Sequence, residues 1–168
     1  MNSTSDKVLP ILLLPIRRTL DENPEFRDHP DCQPTLRITI DYFERVGYAP
    51  PWIGYYAQVE DKLVGAGGYK GRPKDGTVEI DYGVFPAYQG QGYGTEICRQ
   101  LVQLAVHTDP SVRITARTLP DNYASAGVLR RNGFEQVRTV HDEEDGEVLE
   151  WVYTRGLPIF SLQGLAGF

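Results

Sequence analysis

The chain has 168 residues, a formal net charge of −6 and charged side chains at 24% of positions. That suits one globular domain able to bury about 70% of its unfolded surface. The acidic balance argues against nonspecific nucleic-acid binding and mildly favours a cationic or amine ligand. The 2 cysteines, Cys32 and Cys98, and the 3 histidines show neither metal-ligand spacing nor a disulfide framework, so no metal is expected.

Residues 1–7 are polar and read as a disordered N-terminus, residues 8–155 as a single domain, and residues 156–168 as an apolar tail suited to packing on the domain or against a second copy in a homodimer. Residues 8–14 predict a first strand. That run is too short for a secretory leader, is broken by Pro10, and meets Pro15 with no small-residue cleavage site after it. No segment approaches the roughly 20 apolar residues of a membrane span, so a cytoplasmic location without a membrane partner is expected.

Residues 17–34 are rich in Pro, Asp and Asn and predict only short helical turns. Leu36, Ile40, Phe43 and Val46 fall at helical spacing, with Gly47 as the stop. Residues 52–59 and 63–69 read as a hairpin about Glu60-Asp61-Lys62, and residues 71–76 as a second turn. Residues 77–85 form the next strand, which points Glu79 and Asp81 to one face and Val78, Ile80 and Tyr82 to the other. Carboxylates on a central strand are costly unless solvated or paired, which marks this pair for attention.

Gly90, Gly92 and Gly94 then stand where that strand gives way to a helix, expected over residues 95–107. Glycine tolerates positive φ and lets a ligand approach the backbone. The first amides of a helix lack intrahelical partners, and the helix dipole favours an anion there. A glycine turn alone is more often structural; the strand before it and the amphipathic helix after it point to a phosphate site. The spacing is not the Gly-x-Gly-x-x-Gly of a dinucleotide fold, and no Gly-Lys-Ser/Thr of a nucleotide-hydrolase loop is present.

Residues 112–118 return as a strand. Asp121 or Asn122 can cap the helix that follows, and Gly133 can end it with Phe134 just beyond. Residues 136–141 and 147–154 form a last hairpin about the acidic turn at 142–146. Mixed helices and hairpins give an α+β class rather than a doubly wound one.

The glycine segment resembles the acyl-CoA loop of the GNAT N-acetyltransferases, Gln/Arg-x-x-Gly-x-Gly/Ala, as Gln89-x-x-Gly92-x-Gly94. The segment from Asn122 and Ser125 to Gly133-Phe134 resembles a second GNAT motif, Asn-x-x-Ser/Ala, an apolar pair, then Gly-Phe. The two occur in the family's order, each at a strand-to-helix junction.

The resemblance implies a GNAT fold: a mostly antiparallel sheet flanked by helices and splayed between its fourth and fifth strands, residues 77–85 and 112–118. It implies acetyl-CoA as co-substrate, with main-chain groups of Gly83, Val84 and Phe85 pairing with the pantetheine arm. The pyrophosphate would lie in the loop formed by Gln89, Gly90, Gln91, Gly92, Tyr93, Gly94 and Thr95, with Asn122 and Ser125 near the thioester. Arg130 or Arg131 would meet the nucleotide end, unless both are simply solvated helix arginines.

The implied reaction is direct attack of a neutral amine on the thioester, the amine being a protein N-terminus, a lysine or a small metabolite. Many relatives supply a proton from a tyrosine in the second motif; Leu129 stands there. Ser125 with that leucine resembles the ribosomal-protein N-terminal acetyltransferases, which assigns Ser125 as proton donor. Glu79 is the leading base, and Glu143 and Glu144 fall near an acidic position of those relatives, in a turn that solvation alone explains. The competing readings are a noncatalytic acyl-CoA-binding module on the same fold and an interaction domain with no nucleotide ligand.

Overall fold

The computed structural model describes residues 10–155. The expectations for residues 1–7, for Val8 and Leu9 as strand, and for the tail at 156–168 with its homodimer contact lie outside the described residues. One seven-stranded sheet runs in the order β1-β2-β3-β4-β5-β7-β6. Its strands are β1 (Ile11–Pro15), β2 (Gly54–Val59), β3 (Lys62–Tyr69), β4 (Thr77–Val84), β5 (Arg113–Thr118), β6 (Phe134–Asp142) and β7 (Gly146–Tyr153). The α-helices are α1 (Pro24–Arg27), α2 (Gln33–Val46), α3 (Tyr93–Thr108) and α4 (Tyr123–Arg131). Among the described residues β4 and β5 are the one parallel pair; every other neighbour is antiparallel.

The parallel pair parts early. Pairing runs from Thr77↔Arg113 to Ile80↔Ala116 and stops, although β4 continues to Val84 and β5 to Thr118. β4 stays with β3 as far as Gly65↔Val84, and β5 stays with β7 as far as Thr118↔Leu149. Each strand follows its outer neighbour, so a wedge opens between their C-terminal halves. This is the splay expected between the fourth and fifth strands.

Burial follows the predicted periodicities. Ile97, Cys98, Leu101, Val102 and Ala105 are the buried stripe of α3, with Val78 and Ile80 of β4 buried in the same core. Glycines on β3 let α3 lie directly on the strand: a Cβ at Gly67 would stand 2.8 Å from Ile97 Cγ2 and 3.0 Å from Leu101 Cδ1. On α2, Leu36, Ile40 and Phe43 are buried. Val46, expected on the same stripe, is 40% exposed, because the helix stops there and Gly47 turns the chain away at φ 93°.

Three elements start two residues away from the sequence reading. β2 starts at Gly54, since turn hydrogen bonds from Trp52 N to Ala49 O and from Ile53 N to Pro51 O occupy the residues before it. α3 starts at Tyr93 and not Thr95, because Gly92 caps it in the left-handed conformation, φ 85°. β6 starts at Phe134 rather than Gln136, pairing with β7 as soon as Gly133 has ended α4.

Candidate active site

The wedge, the glycine loop and the start of α4 meet at one place. Gly94 joins them: a Cβ there would touch Val84 Cγ2 of β4 and Val128 Cγ2 of α4, each at 3.5 Å. Gly90 (φ 79°) and Gly92 (φ 85°) take left-handed conformations that favour glycine. The first capping bond of α3 runs from Glu96 N to Gly92 O at 3.2 Å, which leaves the amides of Tyr93, Gly94 and Thr95 without intrahelical acceptors. Gln89 Nε2 donates to Val84 O at 3.2 Å and ties the loop to the end of β4.

The arginines expected near the nucleotide end separate. Arg131 Nε donates to Thr95 Oγ1 at 3.2 Å, beside the first turn of α3. Arg130 instead stacks its guanidinium over Trp151, 5.1 Å from the ring centroid.

Hydrogen-bond alternation identifies the free backbone groups along the wedge. Phe85 N donates to Val64 O at 2.8 Å and Lys70 N to Glu79 O at 2.9 Å, so residues 79 and 85 are hydrogen-bonded positions opposite β3. In an antiparallel ladder such positions alternate. Gly83 therefore spends its amide and carbonyl on β3, and the Phe85 carbonyl accepts from Tyr88 N at 2.8 Å. The groups turned toward the wedge are those of Tyr82 and Val84. This corrects the expectation for Gly83 and Phe85: parity, which the motif does not state, moves the free groups by one residue. Gly83 contributes space instead, with nothing within 4 Å of where its Cβ would be.

On the α3 side of β4, Tyr82 reaches the second motif. Its hydroxyl donates to Ser125 O at 3.2 Å and shares a hydrogen bond with Ser125 Oγ at 3.1 Å. Burial drives this phenol well above the ordinary tyrosine range, with the Ser125 hydrogen bond opposing. Asn122 caps α4, its Oδ1 accepting from Ser125 N at 3.1 Å, and that bond fixes the backbone from which the Ser125 side chain projects. Leu129 is fully buried. Tyr82 is the residue the sequence reading missed; alternation along β4 placed it opposite Glu79 and Asp81, and nothing local announced that α4 would meet it there.

The other face of β4 carries Glu79 and Asp81. Glu79 Oε2 pairs with Lys70 Nζ at 2.6 Å and its Oε1 lies 3.7 Å from Arg117 Nε. Burial alone would lower the Lys70 ammonium, but the Glu79 hydrogen bond and the charges of Glu79 and Asp81 hold it above its ordinary value. Asp81 is pushed above the usual carboxylate range, first by the protein packed around it and further by Glu79, against the pull of Lys70. Asp81 is itself exposed on the open face, so solvent screens this shift.

Beyond this pair a cleft of about 800 Å³ extends over β4, β5, β6 and β7, edged by Tyr42 of α2. Glu143 and Glu144 do not line it; they sit exposed in the β6–β7 turn. Among the described residues no helix is long and apolar enough to cross a membrane.

Residues 15–135 match the family model for an acetyltransferase (GNAT) domain. An uncharacterized N-acetyltransferase of Bacillus subtilis (strain 168), YjdG, is 29% identical over 93 residues, 55% of this chain and 52% of that protein. The match thus spans about half the length of that curated relative. A putative GnaT-family acetyltransferase from Bordetella pertussis superposes with a TM-score of 0.63 at 20% identity, covering 88% of this chain and 98% of that one. The aminoglycoside acetyltransferase AAC(6')-Ib, solved with ribostamycin and coenzyme A, gives 0.62 at 22% identity over 89% and 95% of the two chains. A RimL ribosomal L7/L12 alpha-N-protein acetyltransferase in complex with coenzyme A gives 0.63 at 18% identity over 87% and 97%. At these identities the superpositions speak for the fold, and the match over residues 15–135 speaks for descent: the chain belongs to the GNAT acetyltransferase domain family.

Proposed function

We propose that the chain transfers an acetyl group from acetyl-CoA to a primary amine. The observation that carries this reading is the coincidence of the open β4 edge with the glycine loop at the N-terminus of α3. The edge offers the amide and carbonyl of Tyr82 and the amide of Val84 to a pantetheine arm. The loop, from Gln89 through Gly90, Gln91, Gly92, Tyr93 and Gly94 to Thr95, offers a left-handed glycine cradle and three unpartnered helix amides, with Arg131 beside them for the phosphates. Each hydrogen bond to a charged oxygen contributes about 1.5–3 kcal/mol, so three amides are a sufficient anchor.

The donor supplies a thioester whose carbonyl the amine attacks, the C–N bond forming as the C–S bond breaks. Asn122 and Ser125 border the thioester, and the Ser125 hydroxyl relays a proton to the departing sulfur, regaining one from solvent water as it does so. Tyr82, held protonated by its raised pKa, orients that hydroxyl. The amine's proton goes to the Glu79–Asp81 pair, directly or through water. Asp81, being nearer the wedge, takes it, while Glu79, fixed by Lys70 and Arg117, holds the pair in place.

Thiol release from acetyl-CoA with a panel of amines tests the reading. Tight CoA binding with no release for any amine would sink it in favour of a noncatalytic acyl-CoA-binding module, the reading favoured by one observation, the buried Leu129 at the usual tyrosine position.

A further inference from the structure

The cleft beyond Glu79 has a charge opposite to that of the whole protein. Its walls carry Lys70, Arg72, Lys74, Arg113, Arg117 and Arg138 against two carboxylates, Glu79 and Glu150, in a chain of net charge −6. Three of these cations are already engaged. Lys70 pairs with Glu79, Arg138 Nε with Glu150 Oε1 at 3.1 Å, and Arg117 with Glu79, Asp142 and Glu150 at 3.4–3.7 Å.

Arg72, Lys74 and Arg113 make no ion pair among the described residues, and the backbone gathers them at one end. Lys74 and Thr77 exchange backbone hydrogen bonds of 2.9 and 3.0 Å, and Arg113 N donates to Gly76 O at 2.8 Å. Thr77 and Arg113 are also register partners. That end lies four strand residues from Asp81, about 13 Å at the rise of a β-strand. A small amine with its own carboxylate or phosphate is too short to span that distance. An extended peptide crosses it in about four residues.

We infer that the acceptor is a peptide amine followed by acidic residues, with its N-terminus at the Asp81 end of the cleft and its carboxylates against Arg72, Lys74 and Arg113. This rests on the acetyl-transfer reading and names the acceptor class for that same site. The anions neutralise like-charged side chains that have no other partner, so binding and encounter rate both gain from complementarity.

The test compares three amino-terminal peptides of equal length, with acidic, amide and basic residues at positions two to four, alongside phosphoethanolamine and spermidine, by thiol release and mass spectrometry. The acidic peptide is expected to have the highest kcat/KM, falling as salt is raised. The charge reversal K74E/R113E is expected to raise KM for the acidic peptide about 10-fold or more with kcat little changed, and to improve the basic peptide. Both side chains are exposed, and circular dichroism checks the fold. Equal kcat/KM for all peptides, or preference for either small amine, overturns the acidic-peptide inference while acetyl transfer stands. No release with any of the amines overturns both. The salt dependence of the unaltered protein gives a readout independent of the variant.

Discussion

Gly67→Ala tests how the loop-bearing helix is held over the sheet. The added methyl would stand 2.8 Å from Ile97 Cγ2, 3.0 Å from Leu101 Cδ1 and 3.2 Å from Asp81 O, against about 3.5–4.0 Å for unstrained carbon contacts. Ile97 and Leu101 are fully buried, so neither can swing aside and α3 has to lift. Overpacking of this kind costs about 1–3 kcal/mol, which for a domain of this size lowers Tm by about 2–12 °C. The Tyr93–Thr95 amides lie in the first turn, just before Ile97, so CoA affinity should fall as well.

Ile97→Leu removes the offending Cγ2 while conserving volume. In the G67A background it should recover stability, with a coupling of about 0.5–3 kcal/mol between the two sites. Denaturant melts of the four proteins, with calorimetric titration of CoA, measure both effects. If G67A melts with the unaltered protein, or if Ile97→Leu adds its own loss independently, the helix is not seated on the Gly67 backbone as described.

Asp81→Asn should lower kcat/KM about 10²–10⁴-fold and abolish the acid limb of its pH profile; a loss under threefold would remove Asp81 from proton transfer. Because this carboxyl is raised in the folded protein, ionising it opposes folding: the stability present below its unfolded pKa is lost as pH rises through the folded one. D81N should therefore melt higher than the unaltered protein near pH 8 and no higher in acid, a difference read from thermal melts at the two pH values. Lys70→Met removes the charge that lowers the Asp81 pKa, so the acid limb should move to higher pH; movement to lower pH would contradict the pairing. Ser125→Ala should slow turnover about tenfold or more, and Tyr82→Phe in that background should add little, because the two hydroxyls act as one unit; fully multiplicative losses in turnover assays would separate them. Cys32 and Cys98, both buried, are pushed up to about 11 and about 12 by burial, offset at Cys32 by the Tyr56 hydrogen bond, so alkylation at pH 8 should follow unfolding; stoichiometric labelling of the native protein would refute that burial.

Local features of this site were legible in the chain because local physics produces them. The glycine cradle, the Asn122 cap and the Gly133 stop each depend on a few adjacent residues. So does the alternation that sets Glu79 and Asp81 against Tyr82. What the sequence withheld depends on register. That Gly83 turns its backbone to β3 and Tyr82 to the wedge follows from Phe85 meeting Val64, a pairing between distant strands. Tyr82 meets Ser125 only because α4 packs back over the end of β4.

Charge behaves the same way. The net value of −6 is a sum over the chain and says nothing of where the signs fall. Arg72 and Lys74 sit in one turn, Arg113 opens a strand after a sixteen-residue helix, and Arg138 lies in the last hairpin. The Thr77↔Arg113 and Arg138↔Glu150 registers bring them to one wall. A one-residue slip in either strand would turn these side chains to the opposite face. The mild expectation of a cationic or amine ligand rested on that sum; the acidic-peptide inference rests instead on the cleft, where the cations outnumber the carboxylates six to two.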